Sequence, residues 1–119
     1  MKRVLIHGFG SIGQRHLRVV SGLDPTLEVA VLSEHGSHVR ADNTPARLFT
    51  ELEQARAFKP DAVVVANAAV AHVAAASGWL RAGAHVLVEK PLAPSTEHLD
   101  ALLSLARSSG RVLQVGYNL

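Results

Sequence analysis

Short stretches rich in valine and leucine recur along this chain, nearly continuous in apolar side chains: Val4 to Ile6, Val29 to Leu32, Ala62 to Ala66, His85 to Val88 and Val112 to Val115. A strand with one wet face alternates apolar and polar residues. A near-continuous run instead marks a strand covered on both faces, as in a parallel sheet sandwiched by helices. The segments between these runs have helical character. Ile12 to Val20 is the first, and Glu51 to Phe58 follows Thr50, which with Glu53 is expected to form a capping box. Val70 to Arg81 is alanine-rich and stops before Gly83, and Thr96 to Arg107 runs from Ser95, the expected N-cap, toward Gly110. Parallel neighbours cannot be joined by hairpins, so the alternation demands right-handed strand–helix–strand crossovers. The predicted class is α/β. Positions 34–47 carry His, Gly, Ser, Asn and Pro with weak periodicity and are expected to be mostly loop, with at most a short helix.

The 119 residues suit one domain, and the apolar runs are too short to cross a bilayer. The amino terminus, Met1-Lys2-Arg3 before Val4-Leu5-Ile6, turns polar and glycine-rich too soon for a secretory signal. Cysteine is absent, which excludes disulfides and thiolate metal sites and makes a cytoplasmic location the default expectation. The formal charge of +2 comes from 12 basic and 10 acidic residues scattered along the chain. Without a basic run or interleaved aromatics, neither nucleic acid nor a membrane surface is suggested as a partner.

The first apolar run passes into HGFGSIGQRHL, which holds Gly8-x-Gly10-x-x-Gly13 at a strand-to-helix turn. In that context Gly8 permits the tight turn, Gly10 lets a pyrophosphate approach the backbone, and Gly13 lets helix and sheet pack closely. The N–H groups of Ser11, Ile12 and Gly13 would face the phosphates, with about half an elementary charge of helix dipole behind them. The Ser11 hydroxyl is a further candidate. The residue that reads the adenosine ribose should end the second strand, where Ser33 and Glu34 stand. A carboxylate suits the free diol of NAD and repels a 2′-phosphate. A small serine leaves room for that phosphate, with Arg15 or Arg40 to pair it. NAD and NADP both stay open, with a slight lean to NAD.

Three further stretches are Asn67 with His72, VLVEKPL around Glu89-Lys90-Pro91, and QVGYNL at the end. Together with the glycine turn they resemble the glucose-fructose oxidoreductase, inositol dehydrogenase and MocA family (Gfo/Idh/MocA). The resemblance implies a Rossmann NAD(P)-binding fold: a doubly wound, open parallel sheet of about six strands in the order 3-2-1-4-5-6. It implies that Lys90 lies at the nicotinamide end and contacts substrate, as the one catalytic residue here. Asn67, His72, Glu89 and Asn118 are implied cofactor-side residues, although Ala66 and Ala68 flank Asn67 where the family often has a proline. The resemblance also suggests a cis Lys90-Pro91 bond. In the family a second domain follows with most substrate contacts, so the expectation is one dinucleotide-binding domain over residues 1–119, with that second domain absent.

The implied activity is hydride transfer between a nicotinamide cofactor and a sugar, cyclitol or related polyol, with this chain alone binding cofactor without turnover. The alternative is a free-standing, non-catalytic nucleotide-binding or sensing module, against which Lys90 argues. A homodimer through an exposed sheet edge is a further expectation. No metal is expected: His35 and His38 have metal-like spacing but no third ligand nearby. His7, His16, His85 and His98 are expected to be structural or surface residues.

Overall fold

A computed structural model describes residues 2–34, 47–90 and 99–116. In chain order the elements are β1 (Arg3–His7), α1 (Ser11–Leu23), β2 (Glu28–Leu32), β3 (Arg47–Phe49), α2 (Leu52–Phe58), β4 (Ala62–Val65), a 3₁₀ turn (Ala69–Ala71), α3 (His72–Arg81), β5 (His85–Glu89), α4 (Leu99–Ser109) and β6 (Leu113–Gly116). The strands form one parallel sheet in the order β3-β2-β1-β4-β5-β6, the doubly wound arrangement. The chain starts at β1, winds outward to β3, and crosses back to continue through β4. β1 and β4 therefore lie side by side, paired from Val4 with Ala62 to His7 with Val65.

Side-chain alternation along these buried strands feeds two cores, one on each face of the sheet. On one face Leu5, Leu32, Val63, Val65, Val86 and Val88 pack against Ala55 and Phe58 of α2, Ala76, Trp79 and Leu80 of α3, and Leu102 of α4. On the other face Ile6, Val29, Val31 and Val64 pack against Leu17 of α1. Leu5 and Ile6, adjacent in sequence, are both fully buried, one in each core. Each such side chain contributes about 1.5–3 kcal/mol relative to exposure, which explains why a run with no polar interruption holds the centre of the sheet.

One expectation is corrected. The box at the start of α2 sits one residue later than expected: the N-cap is Glu51, not Thr50, and the partner is Gln54, not Glu53. The Gln54 side-chain oxygen accepts the N–H groups of both Thr50 and Glu51 at 3.1 Å, a reach a residue at position 53 lacks once the helix begins at Leu52. Next, the residues after the weakly periodic segment form a strand. β3 carries only Arg47, Leu48 and Phe49, a run too short and too polar at its start to be read from periodicity, and its pairing to β2 defines it. α3 and α4 run toward Gly83 and Gly110 as expected, whereas Ser95 lies outside the described residues. Among the described residues, no helix is long and apolar enough to cross a membrane.

Candidate functional site

The carboxyl ends of β1 and β4 mark the point where the winding reverses, and in open α/β sheets that is where a crevice forms. The turn after β1 is built on its glycines. Gly8 adopts φ +111°, and its N–H donates to the Leu32 carbonyl at 2.8 Å. A Cβ at Gly8 would lie 2.6 Å from the Ala66 carbonyl carbon and from the Asn67 nitrogen, so only glycine lets the turn press against the loop after β4. A Cβ at Gly13 would lie 2.0 Å from the Gly8 carbonyl oxygen, which accounts for the close seat of α1 on the turn. At Gly10, by contrast, a Cβ would meet nothing within 4 Å. The turn thus spends two glycines on its own packing and leaves the third beside open space.

Gly10 is the N-cap of α1, with no side-chain cap and no acidic residue in the first turn. The first intrahelical bond runs from the Gln14 N–H to the Gly10 carbonyl at 2.9 Å. The backbone N–H groups of Ser11, Ile12 and Gly13 precede it and have no intrahelical acceptor, which makes this end of α1 suited to an anion. The Ser11 side chain lies outside the described set.

At the end of β2 the two candidates separate. Ser33 is buried, and its N–H donates to the Phe49 carbonyl at 2.9 Å. Glu34 is exposed and accepts a 2.8 Å hydrogen bond from Nε2 of His7, the last residue of β1. The other ring nitrogen of His7, Nδ1, accepts the indole N–H of Trp79 at 3.1 Å. His7 is accordingly structural, as one of its two expected roles had it. Its contact with Glu34, and the participation of Trp79 from α3, were not expected.

His7, Glu34, Arg56, Asn67, Ala75 and Trp79 are among the residues lining a cleft of about 220 Å³ between α2 and α3 at these strand ends. Asn67 Oδ1 is buried and makes no hydrogen bond among the described residues. The Asn67 carbonyl accepts Nε2–H of His72 at 2.9 Å. His72 is 2% exposed and buried at the start of α3, so that nitrogen holds the loop rather than facing the crevice.

Glu89 ends β5, and its Oε1 meets Nε2 of His16 on α1. The next residue, Lys90, is exposed. Arg40, His35, His38, Pro91 with the Lys90-Pro91 bond, and Asn118 lie outside the described residues. The structure therefore brings Gly8, Gly10, Gly13, Glu34 and Asn67 to one rim, joins Glu89 to the helix of the glycine turn, and buries Ser33 and His72.

Comparison with known proteins agrees with this arrangement. A sequence profile of the GFO_IDH_MocA oxidoreductase family, NAD-binding Rossmann fold, matches residues 2–117. The 4-carboxy-2-hydroxymuconate-6-semialdehyde dehydrogenase of Sphingobium sp. is 30% identical over 119 residues, covering 97% of this chain and 38% of that protein. The scyllo-inositol 2-dehydrogenase (NADP(+)) IolU of Bacillus subtilis is 31% identical over 117 residues, covering 95% of this chain and 36% of its own. The solved WlbA dehydrogenase from Bordetella pertussis, in complex with NADH and UDP-GlcNAcA, has a TM-score of 0.85 at 26% identity, covering 97% of this chain and 37% of that one. This chain thus spans little more than a third of the relatives it matches. With the glycine turn, the strand order and a profile match over nearly every residue in accord, the chain belongs to the Gfo/Idh/MocA oxidoreductase family, in its NAD-binding Rossmann fold.

Proposed function

We propose that residues 1–119 form the cofactor-binding domain of an NAD(P)-dependent oxidoreductase that moves hydride between the nicotinamide and a sugar, cyclitol or related polyol. The observation that carries this reading is the glycine turn: open space at Gly10 beside an uncapped helix start, at the point where the sheet reverses its winding. The residues present fit a dinucleotide. The N–H groups of Ser11, Ile12 and Gly13 would hold the pyrophosphate, and Glu34 would accept the hydroxyls of the adenosine ribose. Asn67 carries a buried Oδ1 still in need of a donor, which a ribose hydroxyl supplies.

The bound nicotinamide supplies the hydride chemistry itself. Lys90, exposed one residue past β5, acts on the substrate side. A cation beside the reacting hydroxyl favours alkoxide character as hydride leaves. Glu89 orders that strand end through His16, and His72 holds the loop of Asn67. The carboxylate of Glu34 favours NAD over NADP. Relatives divide on this point: scyllo-inositol 2-dehydrogenase IolU is named for NADP(+), and the WlbA dehydrogenase was solved with NADH.

A second domain, as in longer members of the family, would supply the rest of the substrate site, so residues 1–119 by themselves would bind cofactor without turnover, and β6, at one edge of the described sheet, is where a second copy would pair. Titration with NADH and NADPH, read from cofactor or Trp79 fluorescence, tests the reading. Saturable binding is expected; no binding of either sinks it. A chain that binds cofactor but, in a longer version, still turns over no polyol fits the sensing module instead.

A further inference from the structure

Three side chains from three elements form one directed hydrogen-bond chain. Trp79 on α3 is 2% exposed, His7 at the end of β1 is 5% exposed, and the Glu34 side chain past β2 is 46% exposed. The chain thus runs from the buried floor of the cleft to its rim. Its direction follows from chemistry alone. An indole nitrogen only donates, so the Trp79 N–H at 3.1 Å requires His7 Nδ1 to be the acceptor. The neutral ring then carries its proton on Nε2, which donates to Glu34 Oε1 at 2.8 Å. The rings of His7 and Trp79 meet edge to face, 89° apart with centroids 6.2 Å distant, so packing fixes the imidazole plane as well as its tautomer.

We propose that His7 is a specificity-positioning residue: held in one tautomer by Trp79, it fixes the Glu34 carboxylate at the rim so that the cofactor's ribose is read as a free diol. The proposal rests on the reading of Glu34 as the ribose contact. A half-exposed glutamate past a strand end ordinarily samples many rotamers, and it can swing away from a 2′-phosphate as easily as toward a diol. Here one carboxylate oxygen is bound to His7. Among the described residues the other oxygen has no hydrogen-bond partner, and it and the remaining lone pairs can take the two hydroxyl donors of a ribose. A carboxylate that cannot turn aside also meets a 2′-phosphate with its full charge, so anchoring strengthens both the acceptance and the rejection. Glu34 and His7 line the same cleft, which keeps the anchor next to the space the nucleoside needs.

The test is the ratio of NADPH to NADH dissociation constants in the 119-residue chain, for the parent, Glu34→Gln, His7→Asn and His7→Gln. An asparagine at position 7 retains an oxygen for the Trp79 N–H but is too short to reach Glu34. A glutamine carries an amide nitrogen near the position of Nε2. His7→Asn should lower the preference for NADH about tenfold, the size of one charge-assisted hydrogen bond, toward the ratio of Glu34→Gln. His7→Gln should hold the ratio near the parent's, and the double variant with Glu34→Gln should add nothing to either single loss. A parent-like ratio in His7→Asn, while Glu34→Gln collapses it, overturns the proposal. A parent-like ratio in Glu34→Gln, or no binding of either cofactor, overturns instead the reading on which it rests. His7→Phe, which keeps the aromatic packing and removes every polar atom, decides the matter by the same ratio should His7→Asn fail to fold.

Discussion

The imidazole of His16, one turn into α1, meets the carboxylate of Glu89 at the end of β5, with the two side chains only 21% and 16% exposed. α1 begins at the phosphate-type turn, and Glu89 directly precedes Lys90. The contact therefore ties the helix of the glycine turn to the strand end that carries Lys90 through one hydrogen bond. Removing Glu89 leaves a mostly buried ring nitrogen without its acceptor, which costs about 1–3 kcal/mol. Glu89→Ala should lose that much stability in urea unfolding, and Glu89→Gln, which keeps an acceptor oxygen, should lose less. Equal losses in both would mean that packing, not the hydrogen bond, carries the contact.

The glycines of the turn should separate in their effects. Gly10→Val adds a side chain where nothing lies within 4 Å, so circular dichroism and the unfolding midpoint should stay near the parent's. Cofactor affinity should fall by a large factor, because the added atoms occupy the space of the pyrophosphate. Gly13→Ala places a Cβ 2.0 Å from the Gly8 oxygen and should destabilise the fold itself by about 1–3 kcal/mol. Retained binding in a folded Gly10→Val protein would disprove the site.

Lys90→Ala should leave NADH affinity within about threefold of the parent, since an exposed lysine adds little to ground-state cofactor binding. Neither protein should reduce NAD(P) with any sugar or inositol. Positioning substrate in a near-attack geometry contributes about 7–11 kcal/mol of barrier lowering, and on the proposed reading Lys90 would supply a single contact. Specific turnover by the 119-residue chain, lost in Lys90→Ala, would show that these residues already hold a complete site.

Asp61, just before β4, accepts the backbone N–H groups of Lys2 and Arg3, each at 2.9 Å. These bonds hold its carboxyl below its ordinary pKa, the Lys2 N–H contributing most. The folded value lies below the unfolded one, so the stabilisation is present above the ordinary carboxylate range and disappears as pH falls through the lowered value. Asp61→Asn should therefore be less stable than the parent at neutral pH, with the gap closing as pH falls below the ordinary carboxylate range and the parent's carboxyl protonates. Unfolding midpoints in the two pH ranges check this, and a constant gap would contradict it.

Much of the architecture was legible because it depends on short-range physics. Runs such as Val29 to Leu32 are covered on both faces, and an uninterrupted apolar stretch has no other comfortable place. Gly8 and Gly13 announced the turn because their neighbours tolerate no Cβ, a local steric demand that a spacing of glycines can record. The capping box slipped by one residue because Thr50 and Glu51 both precede an apolar run, and only the hydrogen bonds of Gln54 distinguish them.

The sequence by itself determined the α/β class and the turn at Gly8 to Gly13 and made Glu34 a candidate, while Asn67 and Lys90 became candidates through the family resemblance alone. Propensity, periodicity and close contact act over a few residues, and each leaves a local trace. Only the tertiary structure decided that β3 is a strand, since Arg47–Phe49 gains its identity by pairing with β2. It alone decided that His7 meets Glu34 across 27 residues and Trp79 across 72, and that His16 meets Glu89 across 73. Those partners are set by sheet order and register, in which β1 lies between β2 and β4 and the crossover returns α3 against the end of β1. A histidine beside a glycine turn carries no mark of which distant side chain the winding will bring to it, because the contact is a property of how the strands are ordered rather than of the residues near it in the chain.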